Sequence, residues 1–228
     1  MWFVALPSGD LEIVENSWNT VGMRGTGSND VTVRDAFVPR HRAGPLVVPE
    51  SRPSMPKGFE GPLYRCTVWP AVAALPSIAL GVARAAIDEL VALATKKTPA
   101  YTASPLSQRS VAQSQAAQAE AKLGAARAYL YEALREVFEN AVAGKLIGMQ
   151  HKIKVQLAAI HAAIAAADAV DLVHAAAGSS GIREERSFER HFRDVHVLTQ
   201  HTYFSASRYE SVGKLMFGLE SDWGFFEL

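Results

Sequence analysis

The chain has 228 residues, with 23 lysines and arginines against 23 aspartates and glutamates, so its formal net charge is zero. That balance lacks the basic excess of a nucleic-acid or acidic-membrane binder, and 49% hydrophobic with 20% charged residues is the composition of a folded protein, not a disordered one. No run of about 18 consecutive apolar residues marks a membrane span, no basic stretch followed by an apolar one opens the chain, and the single Cys66 supplies neither an internal disulfide nor a thiolate cluster for zinc. A cytoplasmic location is expected.

The first residues read as strands. Residues 2–6 and 11–14 are short apolar runs separated by Ser8-Gly9-Asp10, which reads as a tight turn. A second β segment spans residues 30–38, where Val31, Val33 and Phe37 alternate with Thr32 and Arg34. From Arg40 to Pro62, five prolines and three glycines make an extended linker. Eight of the eleven prolines lie between Pro39 and Pro76 and none follows Pro105, so the alanine-rich remainder is free of the strongest helix breaker.

Four helical stretches follow the linker. Leu75, Ile78, Val82, Ala86, Leu90 and Leu93 recur at spacings of three and four, ending near Lys96-Lys97. Residues 107–142 repeat the pattern with Leu123, Ala126, Leu130, Leu134, Val137 and Ala141. Residues 145–177 repeat it with Ile153, Leu157, Ile160, Ile164 and Ala167, and Gly178 stands where a helix C-cap belongs. Residues 186–217 carry Phe188, Phe192, Val195, Thr199, Thr202, Ala206, Tyr209 and Met216 as one further helix. The expected fold is α+β and mainly α: part of an antiparallel β domain with its linker over residues 1–62, then an antiparallel four-helix bundle over 63–228. Alanine-rich seams suit close helix approach and packing against another subunit.

Several chemistries are excluded by spacing. No two histidines stand four apart as a helical metal pair does, and His191, His196 and His201 are five apart, which turns each about 140° from the last. No Gly-x-Ser-x-Gly elbow is present. The segment Gly22-Met23-Arg24-Gly25-Thr26-Gly27-Ser28 leads into a strand and lacks a P-loop lysine, so a turn or bulge is the better reading than a phosphate cradle. Glu132, Glu136 and Glu139 read as a solvated face with Arg135.

Three motifs together carry a resemblance. The run from Trp18 through Gly22-Met23-Arg24-Gly25-Thr26-Gly27-Ser28 to Asp35-Ala36-Phe37-Val38-Pro39, the loop Ala177-Gly178-Ser179-Ser180, and Arg190-His191-Phe192-Arg193-Asp194-Val195-His196 resemble the acyl-CoA dehydrogenase superfamily. Within it they look most like the branch of flavin-dependent two-component monooxygenases. The resemblance covers essentially the whole chain and implies the C-terminal portion of a longer protein, with an N-terminal helical domain and the first strands of the β domain preceding it.

The resemblance implies a reduced flavin, FAD or FMN, delivered by a separate flavin reductase, which with O2 places one oxygen atom on a bound aromatic or phenolic substrate. His201 matches the histidine that this branch places over the flavin on its final helix, a role that suits an imidazole with a pKa near neutrality. Gly178, Ser179 and Ser180 match the loop that reaches the cofactor, and Arg109, at the start of the second helix, is placed to meet its phosphate. Arg193 and Asp194 are expected to be structural, Trp18 to pack in the core and Thr26 to serve the turn. A homotetramer is implied, with no metal, nucleic-acid or membrane partner. Two other readings stay open: an acyl-CoA dehydrogenase using FAD, although the Tyr-Glu-Gly segment that many of those enzymes carry is absent and Thr199-Gln200-His201 stands in its region, and a non-catalytic helical oligomerisation fragment.

Overall fold

The computed structural model describes residues 2–45 and 57–227; most of the central part of the proline-rich linker, residues 46–56, lies outside them. Four short strands are found among the described residues, β1 (Trp2–Val4), β2 (Glu12–Ile13), β3 (Val31–Thr32) and β4 (Ala43–Pro45). They form two antiparallel pairs, β1 with β4 and β2 with β3. The two opening runs are therefore not partners in one hairpin. Pro7 leads into a 3-10 turn at Ser8–Asp10, and each strand pairs with a distant one instead. The alternating face of the second β segment does not lie on a core either, because Val31, Val33 and Phe37 are all exposed.

The helices are α1 (Pro62–Arg65), α2 (Trp69–Val72), α3 (Ala74–Ala94), α4 (Ser110–Val142), α5 (Met149–Ala177), α6 (Phe188–Leu198) and α7 (Arg208–Met216). In α3 the expected Ala86, Leu90 and Leu93 are buried, together with Ala79, Leu80, Ala83 and Ile87, while the expected Ile78 points outward. Pro76 is tolerated because it sits in the first turn, where its missing N–H has no intrahelical partner. In α4 the expected Leu123, Ala126, Leu130, Val137 and Ala141 are all buried.

Helix α5 packs against α3, α4, α6 and α7. Most of its circumference is buried, with Ala162, Ala163, Ala166 and Ala169 wholly enclosed and a narrow strip at His161, Asp171 and Ala175 exposed, and a helix so largely apolar is stable only in such a central position. The small side chains allow α3 and α4 to approach it closely. By length and composition α5 and the stretch 69–94 would each suffice to cross a membrane, yet α5 spends its apolar surface inside the fold. Gly178 closes α5 with a φ of +56°, a conformation that glycine adopts without a Cβ penalty.

The fourth expected helix is two. After Leu198 the bonds His201 N–H to Leu198 O and Phe204 N–H to His201 O tighten into turns, and regular helix resumes only at Arg208. Thr199 Oγ1 donates to His196 O at 2.7 Å, competing for a carbonyl that the helix would use. The aromatic side chains of the turn then pack inward: Phe204 is buried, and Tyr203 lies 4.7 Å from Phe225 of the C-terminal segment.

Candidate functional site

Helix α6 receives the glycine-rich segment directly on its backbone. A Cβ on Gly22 would stand 2.4 Å from the carbonyl oxygen of Arg193, so only glycine permits this approach. Met23, left-handed at φ 52°, donates its N–H to Asp194 Oδ1 at 2.6 Å. Arg193 donates to the carbonyl of Val21 while pairing with Glu189 at 2.7 Å, which holds the Glu189 carboxyl below its ordinary range. Arg193 and Asp194 are thus structural, as expected from the sequence, and they clamp the β portion to the helices.

That clamp creates a cleft of about 520 Å³. Trp18, Val21, Met23 and Thr26 form one wall, while Leu75 of α3 and Val197, Leu198 and His201 at the end of α6 form the other. Trp18, expected to pack in the core, is instead half-buried and lines the cleft, as does Thr26, and their polar atoms serve the turn: Trp18 Nε1 and Thr26 Oγ1 both donate to the carbonyl of Met23, at 3.0 and 2.9 Å. The cleft presents chiefly apolar surface with hydroxyls at Thr20, Thr26 and Ser28.

His201 is the titratable group in this wall, half-buried in the turn between α6 and α7. Its ring stacks on Phe204 at 4.8 Å and meets Tyr203 edge-on at 5.0 Å. Nδ1 accepts the backbone N–H of Tyr203 at 3.3 Å, which assigns the proton of the neutral ring to Nε2. Burial lowers the His201 pKa, and no charged partner opposes that. The result is a neutral imidazole with an N–H available as a donor.

The other expected site residues lie in a different place. Ser179 and Ser180 line a polar crevice of about 400 Å³ with Lys96, Lys97, Arg183 and Arg186. Lys97 Nζ donates to Ala177 O at 2.7 Å and to Ser180 Oγ at 2.9 Å, so an ammonium both caps the C-terminus of α5 and fixes the serine. Its pKa is lowered by burial first and then by Arg183 and Arg186. Arg109 occupies the N-cap position of α4, exposed, and lines neither the cleft nor the crevice. Sequence reasoning missed Lys97, Arg183 and Arg186. The pair Lys96-Lys97 had read only as a helix-terminal charge, and nothing in the linear order brings it to a loop some 80 residues later.

Residues 73–206, more than half of the chain, match the family pattern described as acyl-CoA dehydrogenase, C-terminal domain. The chain belongs to that family. Indole-3-acetate monooxygenase of Pseudomonas putida is 32% identical over 90% of this chain and 51% of its own length. The chain spans about half the length of the curated relatives it matches. Among solved structures, 3-HSA hydroxylase from Rhodococcus sp. RHA1 superposes with a TM-score of 0.85 at 24% identity, covering 98% of this chain and 57% of that one. XiaF from Streptomyces sp., in complex with FADH2 and glycerol, does so with a TM-score of 0.84 at 23% identity, over 97% of this chain and 57% of that one. The mainly helical fold is therefore that of the acyl-CoA dehydrogenase family.

Proposed function

We propose that the chain is part of the oxygenase component of a flavin-dependent monooxygenase that hydroxylates an aromatic small molecule. The observation that carries this reading is His201, held as a neutral Nε2–H donor in the wall of an apolar cleft. The similarity to relatives named monooxygenase and hydroxylase supports it.

The residues suit a flavin, FAD or FMN. The cleft offers flat apolar walls and hydroxyls to a planar heterocycle, and the crevice offers Lys97, Arg183, Arg186 and Ser180 to a phosphate. When bound, reduced flavin supplies the electrons with which O2 places one oxygen atom on the substrate ring and the other in water. The chain's own part is positional. Trp18, Met23 and Leu198 exclude water, and His201 donates a hydrogen bond from Nε2–H to a developing oxyanion on the substrate. Ser179 and Ser180 fix the cofactor's far end with Gly178 as the hinge of the loop. Arg109 would reach a phosphate from a second copy, in a homotetramer whose α3, α4, α5 and α6 form an antiparallel four-helix bundle. A separate reductase delivers the reduced flavin, and the protein works in the cytoplasm.

The test is turnover with chemically reduced flavin, O2 and a panel of phenols and indoles, comparing the chain with His201→Ala. Hydroxylated product from the first and little from the second is expected. Equal product from both would remove His201 from the chemistry, and anaerobic bleaching of bound FAD by an acyl-CoA would replace the reading with dehydrogenation.

A further inference from the structure

Helix α5 is alanine, valine and isoleucine on nearly every side, and one amide lies among them: Gln156 is 0% exposed. Burying an amide in such surroundings costs free energy unless it is hydrogen-bonded. Gln156 makes one bond, Nε2 to the carbonyl of Tyr203 at 2.5 Å, and its Oε1 has no partner. Tyr203 is the residue whose N–H holds Nδ1 of His201.

We propose that Gln156 is the positioning residue for His201: it grips the carbonyl of Tyr203 from the core and thereby fixes where that residue's N–H meets the imidazole. The turn between α6 and α7 is held within itself by backbone bonds such as Phe204 N–H and Ser205 N–H to His201 O, and the bond from Gln156 of α5 ties it to the core and sets its height against the cleft. Phe225 braces the Tyr203 ring, and Phe204 stacks on the imidazole, but neither ring contact selects a tautomer. The inference rests on the proposed role of His201 for its functional meaning, while its structural content can be read without turnover.

Gln156→Met removes the unpaired Oε1 from the core but leaves the Tyr203 carbonyl without its donor, so some loss of stability is expected. A second variant that is destabilised away from the turn therefore separates positioning from folding. The experiment is NMR of the full chain with labelled histidine, reading the His201 tautomer from its two nitrogen shifts and the exchange rate of the Tyr203 amide. In the parent protein Nε2–H is favoured by roughly two- to tenfold beyond a free imidazole, what one net hydrogen bond supplies. In Gln156→Met that excess disappears and the Tyr203 amide exchanges faster, with a fall in melting temperature no greater than that of the control variant. Leu130→Ala, which removes a buried side chain of α4 without touching the turn, lowers the melting temperature and leaves the His201 signals in place. Unchanged His201 signals in Gln156→Met, or the same change in both variants, would overturn the proposal. Normal hydroxylation by His201→Ala would instead defeat the functional reading and leave the tautomer result standing.

Discussion

Asp194 Oδ1 accepts the backbone N–H of Met23 at 2.6 Å, joining residues 171 apart in sequence and fixing the glycine-rich segment on α6. Asp194→Ala leaves that N–H without its charged acceptor and should cost about 1.5–3 kcal/mol, whereas Asp194→Asn keeps an acceptor oxygen and should cost less. Gly22→Ala forces the same junction apart, since its Cβ would meet Arg193 O. Urea denaturation of the two single variants and the double variant checks this: one junction broken twice gives less than the sum.

Acid should weaken the fold before the carboxylates protonate. Burial lowers the pKa of both His191 and His201 from the ordinary 6.5, with Glu89 opposing the effect at His191. The unfolded chain thus binds protons that the folded chain refuses, and stability present above pH 6.5 is lost as pH falls below it through the folded-state values. Glu189 and Asp222, held low by Arg193 and Lys214, lose their contribution only below the ordinary carboxylate range. Urea midpoints between pH 8 and 5 should fall with pH, and His191→Gln should flatten that slope.

The closeness of α5 to its neighbours predicts intolerance of volume there. Ala166 is wholly enclosed, and Ala166→Leu should cost about 1–3 kcal/mol through overpacking. Ala175, exposed on the same helix, should accept leucine within about 0.5 kcal/mol. Thermal denaturation of the two variants gives the comparison.

Lys97 links the end of α5 to Ser180 in the cationic crevice. Lys97→Met should weaken flavin binding by roughly tenfold, the loss of one charge-assisted hydrogen bond of about 1.4 kcal/mol or more, while Lys96→Met, which lacks those bonds, should change it less. Quenching of flavin fluorescence on titration measures both.

Much of the helical part was legible because it is local. Leu123, Ala126, Leu130 and Val137 are buried where their spacing put them, and Gly178 ends α5 as its place after a long alanine run predicts. What escaped is long-range. Strand partners are chosen across the chain, so adjacency suggested a hairpin where β1 joins β4. The single last helix failed because its apolar spacing continues through residues 199–207 while Thr199 turns its hydroxyl back on the backbone and Tyr203 and Phe204 dive inward. His201 was found through the resemblance. Its tautomer, and the hold of Gln156 on it, depend on a contact across 47 residues that no periodicity encodes.

The most direct measurement is product formation from reduced flavin, O2 and an aromatic substrate, in the chain and in His201→Ala at equal flavin occupancy. The account predicts hydroxylated product from the chain and a rate lower by about a hundredfold in the variant, the contribution of a positioned proton donor. Equal rates with bound flavin in both proteins would contradict it.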